Sequence, residues 1–145
     1  MRISAKGEYA LRALHYLSLN YGKGLIHIKD IAENQKIPLK FLEGILLKLK
    51  NAGYLSSKRG ARGGYFLAKP PGSINIAEIM RSMDIPLTPI DCVNDNASNL
   101  CDHKENCDLI WLWRDIKNKV EEILENTTFE DLCVKNKNQS KRIAI

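Results

Sequence analysis

The sequence predicts a mainly α-helical protein with a small β-hairpin wing: a winged helix-turn-helix followed by a long C-terminal dimerisation helix. Three observations predict it. A helical stretch is followed by two shorter amphipathic segments joined by a tight turn, KIP at 36–38. Two β-prone runs then flank a basic, glycine-permissive tip, RGARG at 59–63. Farther on, residues 108–126 repeat apolar side chains in steps of four and three, the spacing of a helix that pairs with another helix.

Taken in order, residues 4–20 form the first predicted helix. Ala10, Ala13, Leu14 and Leu17 recur at i, i+3, i+4 and i+7, Ser4 is the expected N-cap, and the glycines of NYGKG end the helix. A short helix over 29–35 turns Ile28, Ile31 and Ala32 inward. A further helix over 39–51 starts after Pro38, ends at Ala52-Gly53 and buries Leu42, Ile45, Leu46 and Leu49. That stripe leaves Lys40, Gly44, Leu47 and Asn51 on the outer face, flanked by Phe41, Glu43 and Lys48, a face able to lie on DNA. The runs 54–58 and 64–68 are the strands of the hairpin, and Arg59 and Arg62 at its tip can enter a narrow minor groove. RGARGG is a poor phosphate loop: it lacks the Gly-Lys-Ser/Thr ending and precedes a strand rather than a helix.

After the stiff break KPPGS, residues 75–83 form a short helix with Ile76, Ile79, Met80 and Met83 inward, the methionines serving as core. Pro86 and Pro89 lead into DCVNDNASNLCDHKENC, residues 91–107, which holds three of the four cysteines. Val93 and Leu100 are its only strongly apolar side chains apart from the cysteines, so burial alone does not repay the entropy of ordering it. Leu109, Trp113, Ile116, Val120 and Ile123 then form the seam of the long helix, with Asp115/Lys119 and Asp115/Lys117 marking its polar sides. A seam this long on a small domain points to a homodimer. Thr127 or Thr128 caps a last short helix, with Glu130 or Asp131 as the matching acid. The polar tail from Lys135 is expected to be mobile. The expected division is therefore 1–72 for the DNA-binding domain, 73–134 for the cysteine loop and dimerisation helices, and 135–145 for the tail.

Charge separates the halves in the same way. The chain of 145 residues carries a net +5, but residues 1–72 hold 13 Lys/Arg against 4 Asp/Glu, while residues 73–145 hold 9 against 13. Only the front half, at +9, suits a polyanion. An apolar fraction of 44% supports a real core. No apolar run is long enough to span a membrane, and the start does not read as a secretory signal. The expected location is the cytoplasm, where thiols stay free.

The start MRISAKGEYAL, the block FLEGILLKLKNAGYLSSKRGARGGYFL, the loop cysteines, WLWRDI and TTFEDL together resemble the Rrf-two superfamily of bacterial transcription regulators, over roughly residues 1–134. The resemblance implies a winged-helix dimer on a palindromic operator, with a long helix crossing to the partner. Members of the IscR, NsrR and RirA types hold iron–sulfur clusters, whereas the CymR type does not. Glu43 matches a recognition-helix glutamate that helps choose between operator types, and Arg59 matches the wing arginine. Pro38, Lys40, Phe41 and Gly44 depart from the IscR-like set, so the operator sequence does not carry over.

Cys92, Cys101 and Cys107 are spaced C-x8-C-x5-C, wider between the first two than is usual in the family. Thiolates suit iron–sulfur clusters and zinc, but no C-x2-C to C-x4-C pair typical of structural zinc occurs. An iron–sulfur cluster, 2Fe-2S ahead of 4Fe-4S, is the favoured reading, with zinc or a thiol switch behind it. The resemblance bears on the fourth ligand. IscR-like members use a histidine three residues after the last cysteine, where this chain has Ile110. NsrR-like members use an acidic residue of the other subunit at the position of Glu8. Glu8 is thus the first candidate and His103 the second; the bland reading of Glu8 is a first-turn glutamate favoured by the helix dipole. Cys133, between Leu132 and Val134, reads as a structural thiol.

The function expected is a homodimeric, sequence-specific DNA-binding regulator whose cluster state, set by iron, nitric oxide or redox conditions, controls operator binding. The rival within the family is a cluster-free or thiol-switch repressor that senses through a protein partner or cysteine oxidation. An enzyme is disfavoured: no Ser/His/Asp or paired-carboxylate constellation occurs, and the histidines are only His15, His27 and His103.

Overall fold

Ser4 opens the first helix: its hydroxyl accepts from the Gly7 N–H at 3.2 Å, and α1 (Ala5–Leu19) follows. In the computed structural model, which describes residues 3–94 and 106–143, α1 is the central element. Its Ala10, Ala13, Leu14 and Leu17 are buried, as their spacing predicts. Against it pack α2 (Ile28–Gln35) and α3 (Leu39–Asn51). Between these two helices Lys36 adopts the left-handed conformation (φ 52°), closing α2 just before the turn. Leu42, Ile45, Leu46 and Leu49 of α3 are all buried, so the predicted stripe and its outward face stand as expected.

The hairpin pairs β1 (Leu55–Lys58) antiparallel with β2 (Gly64–Leu67), Leu55 opposite Leu67 and Lys58 opposite Gly64. A contact not expected from sequence extends it. Ile26, in the α1–α2 connection, bridges Tyr65 through two backbone hydrogen bonds of 2.9 and 2.8 Å. A Cβ at Gly64 would lie 2.5 Å from the Ile26 carbonyl oxygen, so glycine is what allows this third segment to approach.

A 3-10 turn at Pro71–Ser73 leads to α4 (Ile76–Ser82), whose N-cap Asn75 accepts from the Glu78 N–H at 2.9 Å. α5 (Ile110–Glu125) packs on α4 and on a 3-10 turn at Asp91–Val93, and an Arg81–Glu125 ion pair at 2.5 Å ties α4 to α5. The chain then returns to the core. The Ile76 N–H donates to the Thr127 carbonyl and the Phe129 N–H to the Ile74 carbonyl, and Phe129 is fully buried in the cluster that contains Leu14 and Leu46.

The structure selects Thr128 and Asp131 from the expected cap pairs. The Thr128 N–H and hydroxyl donate to the Asp131 carboxylate at 2.8 and 2.9 Å, and the Asp131 N–H donates back to the Thr128 hydroxyl at 3.2 Å. α6 (Phe129–Ile143) is longer than the short helix expected, because KNKNQSKRI contains neither glycine nor proline to stop it. A second difference lies on α5. Lys117, expected on a polar side, is buried and lines a cleft with Arg81, Thr88, Asn94 and Glu121, because α5 turns the row Trp113–Lys117–Val120–Leu124 toward the body. Among the described residues no helix is long and apolar enough to cross a membrane.

Candidate nucleic-acid interface and cysteine loop

α3 offers a face without a core role. Lys40, Phe41, Glu43, Gly44, Leu47 and Asn51 are exposed, Phe41 at 56% and Leu47 at 54%. Phe41 stands beside Tyr9 of α1, with ring centroids 6.5 Å apart. Lys48 lies on the flank of this face, as expected, and pairs with Asp84 at 2.5 Å. The hydrogen bond and charge of Lys48 hold the Asp84 carboxyl below the usual carboxylate range. Asp84 itself is left-handed (φ 57°), at the end of α4.

The strands of the hairpin continue directly from α3, and Arg59 and Arg62 at its tip are exposed. Gly60 (φ 109°) makes the turn, its carbonyl accepting from the Gly63 N–H at 2.9 Å. Lys40, Phe41, Glu43, Gly44, Arg59 and Arg62 are thus all accessible to a duplex, on an exposed helix and an adjoining basic hairpin.

Cys92 lies in the turn Asp91–Val93, which packs against α5 and whose Val93 is buried. Cys107 lies one turn upstream of α5, its carbonyl accepting from the Ile110 N–H at 3.2 Å. Both thiols are half-buried and unbridged. Cys101 and His103 lie outside the described residues. Glu8 is exposed in the first turn of α1 and faces Arg12 at 3.8 Å. Among the described residues no three His, Cys, Asp or Glu side chains gather to hold a metal ion, so Glu8 does not join Cys92 and Cys107 within one chain. In donor chemistry the two described cysteines fit a thiolate-bound group. Cys133 is half-buried and burial pushes its thiol up, which keeps it protonated and suits a structural role.

Arg12 was not singled out from sequence. It faces Glu8 and also donates to the Gln35 carbonyl, at the end of α2. Its i+4 spacing from Glu8 was the available signal; the contact with Gln35, across 23 positions, had none.

Comparison with known proteins agrees with this geometry. The profile of the Rrf2 family, described as iron-dependent transcriptional regulators, matches residues 3–135. The HTH-type transcriptional regulator CymR of Bacillus subtilis is 34% identical over 92% of this chain and 90% of its own length. The HTH-type transcriptional regulator IscR of an Enterobacter species is 34% identical over 91% of this chain and 79% of its own length. The solved structure of B. subtilis CymR, described as the global cysteine regulator, superposes with a TM-score of 0.75, covering 92% of this chain and 97% of that one. The T. potens IscR structure superposes with a TM-score of 0.72 at 28% identity, covering 97% of this chain and 90% of that one. Helix-turn-helix, hairpin wing and family profile agree: this chain belongs to the Rrf2 family of transcriptional regulators and is not an enzyme.

Proposed function

We propose that this regulator binds a pseudo-palindromic operator as a homodimer, and that an iron–sulfur cluster held by Cys92, Cys101 and Cys107, with Glu8 donated across the dimer, controls its affinity. The observation that carries the reading is the cysteine loop: three thiols in a segment with almost no other means of ordering itself, two of them half-buried beside α5. When bound, such a group supplies a thiolate cross-link that responds to iron supply and oxidation. Residues 1–72 read the DNA, and residues 73–134 sense and pair. Lys40, Phe41, Glu43 and Gly44 meet the major groove, Arg59 and Arg62 meet the minor groove, and Lys48 contributes from the flank.

Two ion pairs offer routes from the loop to the DNA face. Arg12 connects Glu8 to the last turn of α2, so a Glu8 drawn into a ligand role loosens the hold of Arg12 on the helix-turn-helix. Asp84 connects Lys48 of α3 to the segment that leads into Cys92. The two states must differ in DNA affinity for any switch to operate, and a coupling of about 1–3 kcal/mol corresponds to roughly 5–150-fold.

The test is an absorption spectrum of protein purified without oxygen, with iron and sulfide analysis, alongside Cys92→Ser, Cys107→Ser and Glu8→Ala. Visible charge-transfer bands with matched iron and sulfide are expected, lost in the cysteine variants and altered in Glu8→Ala. Removal of the iron should change operator affinity within the range above. A second reading is favoured by the likeness to CymR: a cluster-free regulator that answers to a protein partner or to cysteine oxidation. Colourless protein that cannot be reconstituted, but whose DNA binding responds to thiol oxidation, would select it.

A further inference from the structure

The outward face of α3 carries two large apolar side chains that nothing in the core uses, Phe41 and Leu47, each more than half exposed. Between them stands Gly44. The three follow at i, i+3 and i+6, so they form one row running obliquely across the helix. Successive members of such a row have neighbouring Cβ positions, about 5–6 Å apart. A Cβ built on Gly44 would meet no atom within 4 Å, and its φ is not in the left-handed region. Neither packing nor backbone conformation therefore requires a glycine there. A glycine in mid-helix weakens the helix relative to alanine, and α3 is otherwise dominated by leucine and lysine, both good helix formers. The result is a shallow notch with no side chain at its floor and apolar walls on two sides. The Phe41 wall is backed by Tyr9.

We infer that this notch receives the C5-methyl group of a thymine in the major groove, and that Phe41, Gly44 and Leu47 thereby specify thymine at one position of each half-site. The inference rests on the DNA-reading role proposed above for α3 and names what that helix recognises. DNA is the fitting occupant because the apolar row lies beside Lys40 on the helix that leads into the hairpin carrying Arg59 and Arg62, in the half of the chain with a +9 balance. The methyl is the one apolar group that base edges present in the major groove, and apolar side chains recognise it. Its size suits a notch one side chain deep.

The experiment begins with selection of binding sites from a random duplex pool by the full-length protein, in both its as-isolated anaerobic and air-exposed forms. Each thymine of the selected half-site is then replaced in turn by deoxyuridine, which lacks only the methyl. Wild type should lose on the order of fourfold in affinity at one symmetric position, the value of burying about one methyl group. Gly44→Ala should melt no lower than wild type and bind the thymine and deoxyuridine sites equally. Leu47→Ala should narrow the difference. Selection of a site that wild type binds equally with either base would overturn the notch while leaving DNA binding in place. So would a Gly44→Ala protein that still distinguishes the bases. Failure to select any site would remove the DNA-reading role of α3 and the notch with it.

Discussion

His15 lies on α1 with its Nε2 buried and without a hydrogen-bond partner among the described residues, and burial lowers its pKa from the ordinary 6.5. The folded state therefore disfavours the protonated ring, while the unfolded chain binds a proton more readily. Stability is full above about pH 6.5 and falls as the pH drops through that value toward the lower folded pKa. Urea midpoints measured at pH 7.5 and 5.5 should show this loss, and His15→Gln should remove part of it; an identical pH dependence in the variant would acquit His15. Other single positions were legible to different degrees. Ser4 and the buried stripe of α3 followed from local chemistry alone. Lys48 did not: its position suited a DNA face, but its partner Asp84 is 36 residues away and recognisable only in space. Lys117 was likewise read as surface from its charge, yet the orientation of α5 buries it.

The hairpin and α3 are the elements whose roles separate most cleanly. Arg59 is exposed at a tip held by the Gly60 turn and takes no part in the core. Arg59→Ala should therefore leave the melting temperature unchanged and cost about 1–3 kcal/mol in operator binding if the side chain reaches a groove. Equal affinity on the selected operator would take the wing out of the reading mechanism. The bounds of α1, α3 and the hairpin were close to their sequence expectation because periodicity, caps and turn residues act within a few positions. The wing's third segment at Ile26 was not, since a single bridge leaves no alternating pattern. The choice of Thr128 over Thr127 is also made by the tertiary fold. Both threonines suit an N-cap, and the return of the chain onto Ile74 sets which of them faces Asp131.

Across the molecule as a unit, the seam of α5 remains only partly covered. Trp113, Ile116 and Val120 are half-buried, but Leu109 is 53% and Ile123 64% exposed. Such a set of apolar side chains along one helix costs solubility unless a partner covers it. Ile123→Glu should shift the protein toward monomer in analytical ultracentrifugation and weaken binding to a two-half-site operator far more than to an isolated half-site. A variant that sediments as wild type would count against this seam as the contact of the homodimer proposed above.

The helices up to α5, the hairpin, the cap at Ser4 and the basic-to-acidic division were readable in the chain, because each depends on neighbours a few residues apart or on composition. The cysteine loop was readable as chemistry, from three thiols in a polar segment; Cys101 and His103 lie outside the described residues, and the ligand set is the proposal that the absorption spectra test. Folding added what links distant positions: Ile26 against Tyr65, Lys48 against Asp84, Arg12 against Gln35, and Phe129 at the centre of a core that joins both ends of the chain. Those contacts depend on how the helices cross and where the chain returns, and neither periodicity nor charge carries that information.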